Sequence, residues 1–208
     1  MSANALGATL AIRIDVRSLQ VTLPPRGLSR GVSDVSSKDV QVRTWADQTA
    51  AHSSASTWVP CEPANCFDYV ADFSRHAEWT TNPVEITRLE PGKSGVGARF
   101  RAVGHQAGKE WPSELEVTLC DRPSTFEFTA SGGPIGTPKD DPHRHTFTFT
   151  PEAGGTRLIL VRRHPLPPDW SRAKRSLTPV IVRLTSGIRR RTVANLRQRL
   201  IDRTAAVP

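Results

Sequence analysis

The chain has 208 residues, of which 37% are hydrophobic and 23% charged, a size and balance that suit one folded domain and exclude a wholly disordered protein. Its formal net charge of +8 is concentrated at one end: residues 161–208 hold twelve Lys or Arg and two Asp or Glu, whereas residues 58–160 hold ten and fourteen. A protein that wraps nucleic acid usually carries basic surface through its folded domain, so no specific nucleic-acid partner is expected.

The first fifty or so residues differ in composition from the rest. They contain LPPRG at 23–27 and small polar clusters typical of linkers, although AIRIDVR at 11–17 alternates as a short strand would. We therefore expect residues 1–53 to be a disordered or weakly ordered extension, residues 54–203 to be the domain, and residues 204–208 to be a tail.

Features of targeting and of metal binding are missing from the sequence. No apolar run approaches the roughly 18 residues that a membrane-spanning helix needs. Arg13, Asp15 and Arg17 interrupt the apolar residues near the N-terminus, so no secretory signal is expected. Three cysteines without closely spaced pairs suit a reduced, cytoplasmic protein and predict no metal site of the zinc type.

A first strand and two short helices are predicted at the start of the domain. STWVP at 56–60 can form the strand, and a helix then begins at Pro63, a residue favoured in the first helical turn. Its apolar residues fall at helical spacing: Cys66, Phe67, Val70 and Phe73. SRHAEW predicts a second short helix with Ser74 as its N-cap, ended before Pro83.

About six antiparallel strands follow, each with one apolar face. The stretches are VEITRLE (84–90), ARFRAV (98–103), WPSELEVTL (111–119), STFEFTA (124–130), HRHTFTFTP (143–151) and TRLILVRR (156–163). Alternation places Trp111, Leu115, Val117 and Leu119 on one face, as it does His143, His145, Phe147 and Phe149. Arg99 and Arg101 point away from Phe100 and hence to solvent. The pattern predicts a curved sheet with a covered concave side.

The last segment predicts one long amphipathic helix. Thr178 is the expected cap, followed by Pro179 in the first turn, and the helix continues to about Arg203. An apolar stripe is expected to cover the sheet: Leu177, Ile181, Leu184, Ile188, Leu196 and Leu200. Arg183, Arg190 and Arg197 are seven residues apart and share the opposite face, so they are expected to face water.

These elements together resemble a known superfamily. The START-like, or Bet v 1-like, helix-grip proteins include polyketide cyclases/dehydrases and small lipid-transport proteins. The resemblance covers about residues 54–203 and is carried by VPCEPANCFDYVADFSRHAEWT, GVGARFR, DRPSTFEF and FTFTPEAGGTRLIL, with the long helix at the end. It implies an α+β fold in which a curved antiparallel sheet wraps around the long C-terminal helix, with two short helices after the first strand. None of these motifs is catalytic, so the resemblance implies the fold far more strongly than a reaction.

The predicted site lies between the sheet and the C-terminal helix. Its ligand-binding residues are Trp79, Phe100, Trp111, Leu115, Phe128, His145, Phe147, Ile181, Leu184 and Ile188. His143 and His145 point the same way from one strand and could bind a metal or pass a proton, but the sequence places no third ligand with them. His145 is the candidate catalytic residue, as a general acid or base.

No cofactor is expected. PGKSG at 91–95 has part of a phosphate-loop pattern, yet Thr87 stands where that loop needs its first glycine, so the stretch is read as a hairpin turn. A dinucleotide fingerprint is also missing.

The leading hypothesis is a protein that holds a small hydrophobic or aromatic molecule in this cavity. The family resemblance implies a lipid or polyketide-like ligand and, in one version, a cyclase/dehydratase that acts by orienting a reactive chain. The alternative is a carrier or sensor without turnover, which an entirely apolar wall would favour. A third class is nucleic-acid or anionic-membrane binding through the basic C-terminal helix.

Overall fold

A single antiparallel sheet organises residues 39–205, which the computed structural model describes apart from residues 107, 134–136, 168 and 185. The strand order is β1-β2-β8-β7-β6-β5-β4-β3. The strands are β1 (Gln41–Ala46), β2 (Ala50–Val59), β3 (Val84–Arg88), β4 (Arg99–Gln106), β5 (Lys109–Asp121), β6 (Thr125–Gly132), β7 (His143–Glu152) and β8 (Gly155–Pro165). The helices are α1 (Pro63–Ala71), α2 (His76–Trp79), α3 (Arg172–Leu184) and α4 (Ser186–Ala205). The predicted α+β helix-grip architecture is confirmed.

The sheet begins earlier than residue 54. Residues 41–53, assigned above to the extension, form β1 and the first part of β2, and the two strands pair from Gln41–Ser56 to Ala46–Ala51. Asp47 holds their turn, since its carboxylate accepts hydrogen bonds from the backbone N–H of Thr49 at 2.7 Å and of Ala50 at 2.8 Å. These bonds lower the pKa of Asp47. The predicted strand at 11–17 lies outside the described residues.

The two short helices occur where the sequence places them, with one different cap. Pro63 stands at the first position of α1, and Cys66, Phe67 and Val70 are buried. A 3-10 turn, Phe73–Arg75, joins α1 to α2. Asp72 caps this turn, because its Oδ1 accepts from the Ser74 N–H at 3.0 Å, so the expected Ser74 cap is wrong. A carboxylate two residues back reaches the free N–H more directly than the serine hydroxyl.

The helices α1, α2 and α4 pack on one face of the sheet, which we call the inner face. Alternation along the strands predicts this face correctly except at one place. A β-bulge between Val117 and Leu119 shifts the pairing of β5 with β6, and Leu119 is 41% exposed. The bulge reverses the alternation, which the periodicity of the sequence does not reveal.

The C-terminal segment is helical over α3 and α4, as the sequence predicts. α3 begins at Arg172, six residues before the predicted cap Thr178, and Pro179 lies inside it. Leu196 and Leu200 of α4 are fully buried and cover the sheet as predicted. The stripe does not continue through α3, since Leu184 is 65% exposed and Ile188 is 46% exposed. Within α4, Ile188 and Leu196 are eight residues apart, about 80° around the helix axis at 3.6 residues per turn, so they do not share the face that covers the sheet.

One of the three arginines that were predicted to face water contacts the rest of the domain. Arg183 and Arg190 are exposed as predicted, but Arg197 is half-buried. Its Nε donates to the Trp58 carbonyl at 3.2 Å, and its Nη2 lies 3.4 Å from an Asp39 carboxylate oxygen. Arg197 therefore ties α4 to the β1–β2 edge, and the expectation that all three arginines share a solvent face is wrong at this residue.

Candidate functional site

One end of the inner face is filled by a packed core. Phe126, Phe147 and Leu158 are fully buried there, together with Leu196 from α4. Phe67 of α1 meets Phe126 edge to face, with ring centroids 6.0 Å apart. Aromatic side chains dominate this end, and such rings bury large apolar areas while fixing one another's orientation.

The other end of the inner face is only partly covered. Cross-strand pairing places His145 beside Arg162, and the rings of His143 and His164 are in contact one row further along. All four side chains are half-buried, as are Trp111 and Ala130 on the same face. Inner-face side chains that keep contact with solvent indicate an open space between this part of the sheet and the helices, and that space is the candidate site.

Three imidazoles converge at this end, and we call His143, His145 and His164 the imidazole cluster. The His143 and His164 rings meet edge to face with centroids 4.5 Å apart, and the His145 and His164 centroids are 6.4 Å apart. His143 is anchored by a 2.6 Å hydrogen bond between its Nε2 and the Thr137 hydroxyl. His145 stacks on Phe128 at 4.7 Å. The imidazole cluster thus lies between the polar end of the inner face and three packed aromatic residues, Trp79, Phe128 and Phe147, which we call the aromatic wall.

Electrostatics keep the imidazole cluster neutral near pH 7. Burial lowers the pKa of His143 to about 4 and that of His164 to about 2, and it holds the pKa of His145 well below its usual value. The positive charge of Arg162 lowers all three further. Neutral imidazoles offer one N–H donor and one acceptor nitrogen each, which suits the orientation of a carbonyl or enol.

Arg162 stands at the centre of this polar end. It pairs across the sheet with His145 on one side and with Ser53 on the other. Its Nε is buried without a hydrogen-bond partner among the described residues. Burial, and secondarily the charge of Arg189 on α4, lower the pKa of Arg162 to about 10, so it remains charged at neutral pH.

The indole N–H of Trp79 is a further polar group within the aromatic wall. It is buried, and its indole Nε1 has no hydrogen-bond partner in the described part of the chain. Its ring lies 4.6 Å from His76 and 6.2 Å, edge to face, from Phe147. His76 is fixed by a 2.8 Å bond between its Nε2 and the Val70 carbonyl.

The structure brings most of the predicted site residues to the inner face. Five are buried in the core: Trp79, Phe100, Leu115, Phe128 and Phe147. Trp111 and His145 are half-buried at the open end. Leu184 and Ile188 are exposed, and the side chain of Ile181 lies outside the described residues, although α3 includes its backbone. The part that each plays toward a ligand stays a prediction.

Arg162 and His164 were missed by sequence reasoning. The signal was present, because alternation along TRLILVRRH places both on the face of Leu158 and Leu160. The net charge of residues 161–208 hides this pattern, because it counts Arg162 together with the arginines of the helices. A charged residue that continues an apolar face is the feature that marks the site.

One pocket lies at the inner face and another lies mainly on the outer face. The first, of about 330 Å³, opens between α1 and the turn before β4, and its lining includes Phe73, Phe100, Val117 and Phe126. The second, of about 570 Å³, is lined mainly by outer-face residues such as Arg101, Glu114 and Lys139. Neither lining includes Trp111, Arg162 or the imidazole cluster. Both volumes fall within or near the range of small-molecule sites, roughly 300–1,000 Å³.

Within the described ranges, no three His, Cys, Asp or Glu side chains are grouped so that they could hold a metal ion. Among the helices that the structure describes, none combines the length and apolar character of a membrane span.

Comparison with known proteins places this geometry in a family. The family model described as polyketide cyclase / dehydrase and lipid transport matches residues 50–200. The chain belongs to the polyketide cyclase/dehydrase and lipid transport family. The match begins within β2 and ends within α4, so the predicted helix-grip family is confirmed.

Solved structures of this family's fold have low sequence identity to the chain. A protein of unknown function from Staphylococcus aureus has 13% identity and a TM-score of 0.59, and the match covers 76% of this chain and 98% of that one. The di-domain ARO/CYC StfQ from the steffimycin biosynthetic pathway has 13% identity and a TM-score of 0.58, with 76% and 53% covered.

A third structure, from Rhodobacter sphaeroides, has 14% identity and a TM-score of 0.56, with 81% and 100% covered. At such identities these neighbours show the shared fold alone. No curated protein has significant sequence similarity to this chain.

Proposed function

We propose that this polyketide cyclase/dehydrase and lipid transport family member binds a small apolar or aromatic molecule at the open end of its inner face. One observation carries the proposal: half-buried Trp111, His145 and Arg162 share that face with a buried aromatic wall. Ligand sites combine an apolar lining with a few convergent polar groups, and this end of the sheet has both.

The polar groups favour a chemical step over simple carriage. An entirely apolar wall would suit a carrier, whereas three imidazoles and a guanidinium converge here. The lowered pKa of His145 makes it a weak base, so we assign it to orientation and hydrogen bonding of a carbonyl or enol oxygen. The proposed reaction class is cyclisation or dehydration of a polyketide-like chain, with water excluded by the aromatic wall.

The first experiment identifies the ligand by native mass spectrometry of the purified protein. A cavity-filling variant and a matched control then test whether the ligand binds at the open end of the inner face. Ala130 is half-buried on the inner face between Leu115 and His143, so Ala130→Trp fills the open end. Thr129 is the adjacent residue on the opposite face, and Thr129→Trp adds the same ring there.

Loss of the bound mass in Ala130→Trp with retention in Thr129→Trp supports the proposal. Equal retention in both folded variants would show that the ligand lies elsewhere. Turnover is then tested with His145→Asn, which keeps a polar planar group without an imidazole. An unchanged product profile on a poly-β-ketone substrate would contradict the role of His145.

A second candidate function is attachment to an anionic membrane surface through α3. Leu177, Val180 and Leu184 are 56%, 55% and 65% exposed, and Ile188 at the start of α4 continues their spacing of three, four and four. Exposed Arg172, Arg183 and Arg190 add positive charge to the same segment. Apolar side chains flanked by arginines are typical of helices that lie in a membrane interface.

A further inference from the structure

We infer that the ligand of the inner face carries an anionic group, such as a carboxylate or a sulfonate, that pairs with the Arg162 guanidinium. The inference rests on the proposed function of the same site and adds the chemical class of the ligand. It is carried by the position of Arg162 on the inner face and by the surroundings of its buried Nε.

Arg162 differs from the other arginines of this part of the sheet. Arg163, the next residue, donates from Nη1 to Asp141 at 2.6 Å, and Arg157 makes two bonds to the Glu152 carboxylate. No ion pair among the described residues involves Arg162, and its Nε is buried without a hydrogen-bond partner. In the part of the chain that the structure describes, Arg157 and Arg163 on the outer face thus have counterions and Arg162 has none.

The groups around Arg162 cannot neutralise it. Its cross-strand neighbours are His145 and Ser53, and His164 lies two residues along the same face. Imidazoles held neutral by burial accept or donate single hydrogen bonds and bring no negative charge. Arg189 of α4 adds a second positive charge close enough to act on Arg162.

A half-buried cation with an unpartnered donor is costly, and a bound anion removes that cost. The cost arises because burial takes the Nε–H of Arg162 out of water while no group among the described residues replaces its hydrogen bond. A carboxylate or sulfonate matches the planar fork of guanidinium donors in two parallel hydrogen bonds. The His164 Nε2, which is likewise buried without a partner among the described residues, lies on the same face for a further bond.

An aromatic body and an acidic head together fit the site. The head would lie at Arg162, beside His145, which stacks on the buried Phe128. The body would contact Trp111 and Ala130, which lie half-buried on the same face and are therefore accessible to a ligand.

The test uses two fluorescent probes that differ by one group. The anionic probe is 1-anilinonaphthalene-8-sulfonate, and the neutral probe is N-phenyl-1-naphthylamine, which has the same rings without the sulfonate. Dissociation constants are measured by fluorescence titration of the wild-type chain, of Arg162→Gln and of the matched control Arg163→Gln. Circular dichroism confirms that each variant is folded, and Arg162→Lys, which keeps the charge, serves as a second variant.

We expect Arg162→Gln to raise the dissociation constant of the sulfonate probe about ten- to a hundredfold, since charge-assisted hydrogen bonds are lost. The dissociation constant of the neutral probe should change less than about threefold. Arg163→Gln should change neither probe, and Arg162→Lys should restore part of the sulfonate affinity. Equal affinities of Arg162→Gln and the wild type for the sulfonate probe would overturn the inference. If both probes bind the wild type and Ala130→Trp does not weaken their binding, the proposed function fails. If Ala130→Trp weakens the binding of both probes and Arg162→Gln weakens the binding of neither, only the anion inference fails.

Discussion

Arg162 and Arg163 are adjacent in β8 and have opposite surroundings. Arg163 lies on the outer face and donates to Asp141 at 2.6 Å, whereas Arg162 lies on the inner face with its Nε buried and unpartnered among the described residues. One residue of strand geometry therefore separates a paired charge on the outer face from a half-buried charge that has no counterion among the described residues. Such a cost is kept where a site needs the charge.

The free protein should gain stability when the charge of Arg162 is removed. Arg162→Met keeps an unbranched apolar stem of similar reach and removes the desolvated guanidinium, so the free energy of unfolding should rise by about 1–2 kcal/mol. Thermal unfolding would then show a melting temperature higher by a few degrees, at about 2–4 °C per kcal/mol for a chain of this size.

Arg163→Met is the control for that measurement. It removes a partly exposed ion pair, which contributes about 0–1 kcal/mol, so its melting temperature should stay level or fall slightly. A lower melting temperature for Arg162→Met than for Arg163→Met would show that Arg162 contributes to the fold and is not held at a cost for binding.

Stability should fall as the solution is acidified from pH 6.5 to pH 4, in part because of His76. This buried imidazole has its pKa lowered to about 4, chiefly by burial, while the unfolded chain keeps the usual value of about 6.5. Since the unfolded state binds the proton first, the contribution of His76 is complete above pH 6.5 and declines toward pH 4. The expected loss is about 2 kcal/mol between pH 7 and pH 5.

Urea unfolding of the wild type and of His76→Asn at the two pH values measures this contribution. The variant starts lower in stability, because the bond to the Val70 carbonyl and the contact with Phe73 are weakened, but its loss between pH 7 and pH 5 should be smaller by about 2 kcal/mol. Parallel pH profiles for the two proteins would assign the acid sensitivity to other groups, such as the half-buried imidazole cluster.

Gly155 should not tolerate even a methyl group. A Cβ at this position would lie 2.3 Å from the Val59 carbonyl oxygen and 2.8 Å from the Trp58 ring, both in the paired strand β2. Gly155→Ala therefore forces the β2–β8 pair apart and should cost about 2 kcal/mol or more.

Gly104→Ala is the matched control, because its nearest neighbour beyond the adjacent residues, the Trp111 carbonyl oxygen, would be 3.9 Å from the added carbon. We expect its free energy of unfolding to stay within about 0.5 kcal/mol of the wild type. A Gly155→Ala protein as stable as Gly104→Ala would mean that the two strands can separate locally without loss.

Local patterns were enough to predict most of the sheet and its inner face. Alternation placed His143, His145 and Phe147 on one side, and Pro63 marked the start of α1. The meeting of His143 with His164 does not follow from alternation, because it depends on the register between β7 and β8. That register is set by the two-residue turn between Glu152 and Gly155, so the exact length of the turn has to be known before the two imidazoles can be paired.

The C-terminal helices show the same limit to what sequence patterns can predict. The stripe of Leu196 and Leu200 covers the sheet, as spacing predicts, but Leu184 and Ile188 do not. Helical spacing identifies which residues share a face and leaves open what that face meets. Tertiary packing decided it, because the main contacts of α3 with the sheet are to β1 and β2, at one edge.

The exposed α3 side chains should bind anionic membranes if they form an interfacial surface. Leu184→Asp places a charge at the most exposed of the four apolar positions and should reduce co-sedimentation with vesicles of 30% phosphatidylserine about tenfold or more, since a buried apolar contact is replaced by a charge repelled by the lipid. Leu119→Asp is the matched control, because Leu119 is an exposed leucine of β5 outside this segment.

Membrane binding should also weaken between 0.05 and 0.5 M salt, as the contribution of Arg183 and Arg190 is screened. Equal loss in both variants, or binding that neither substitution nor salt changes, would contradict a membrane role for α3.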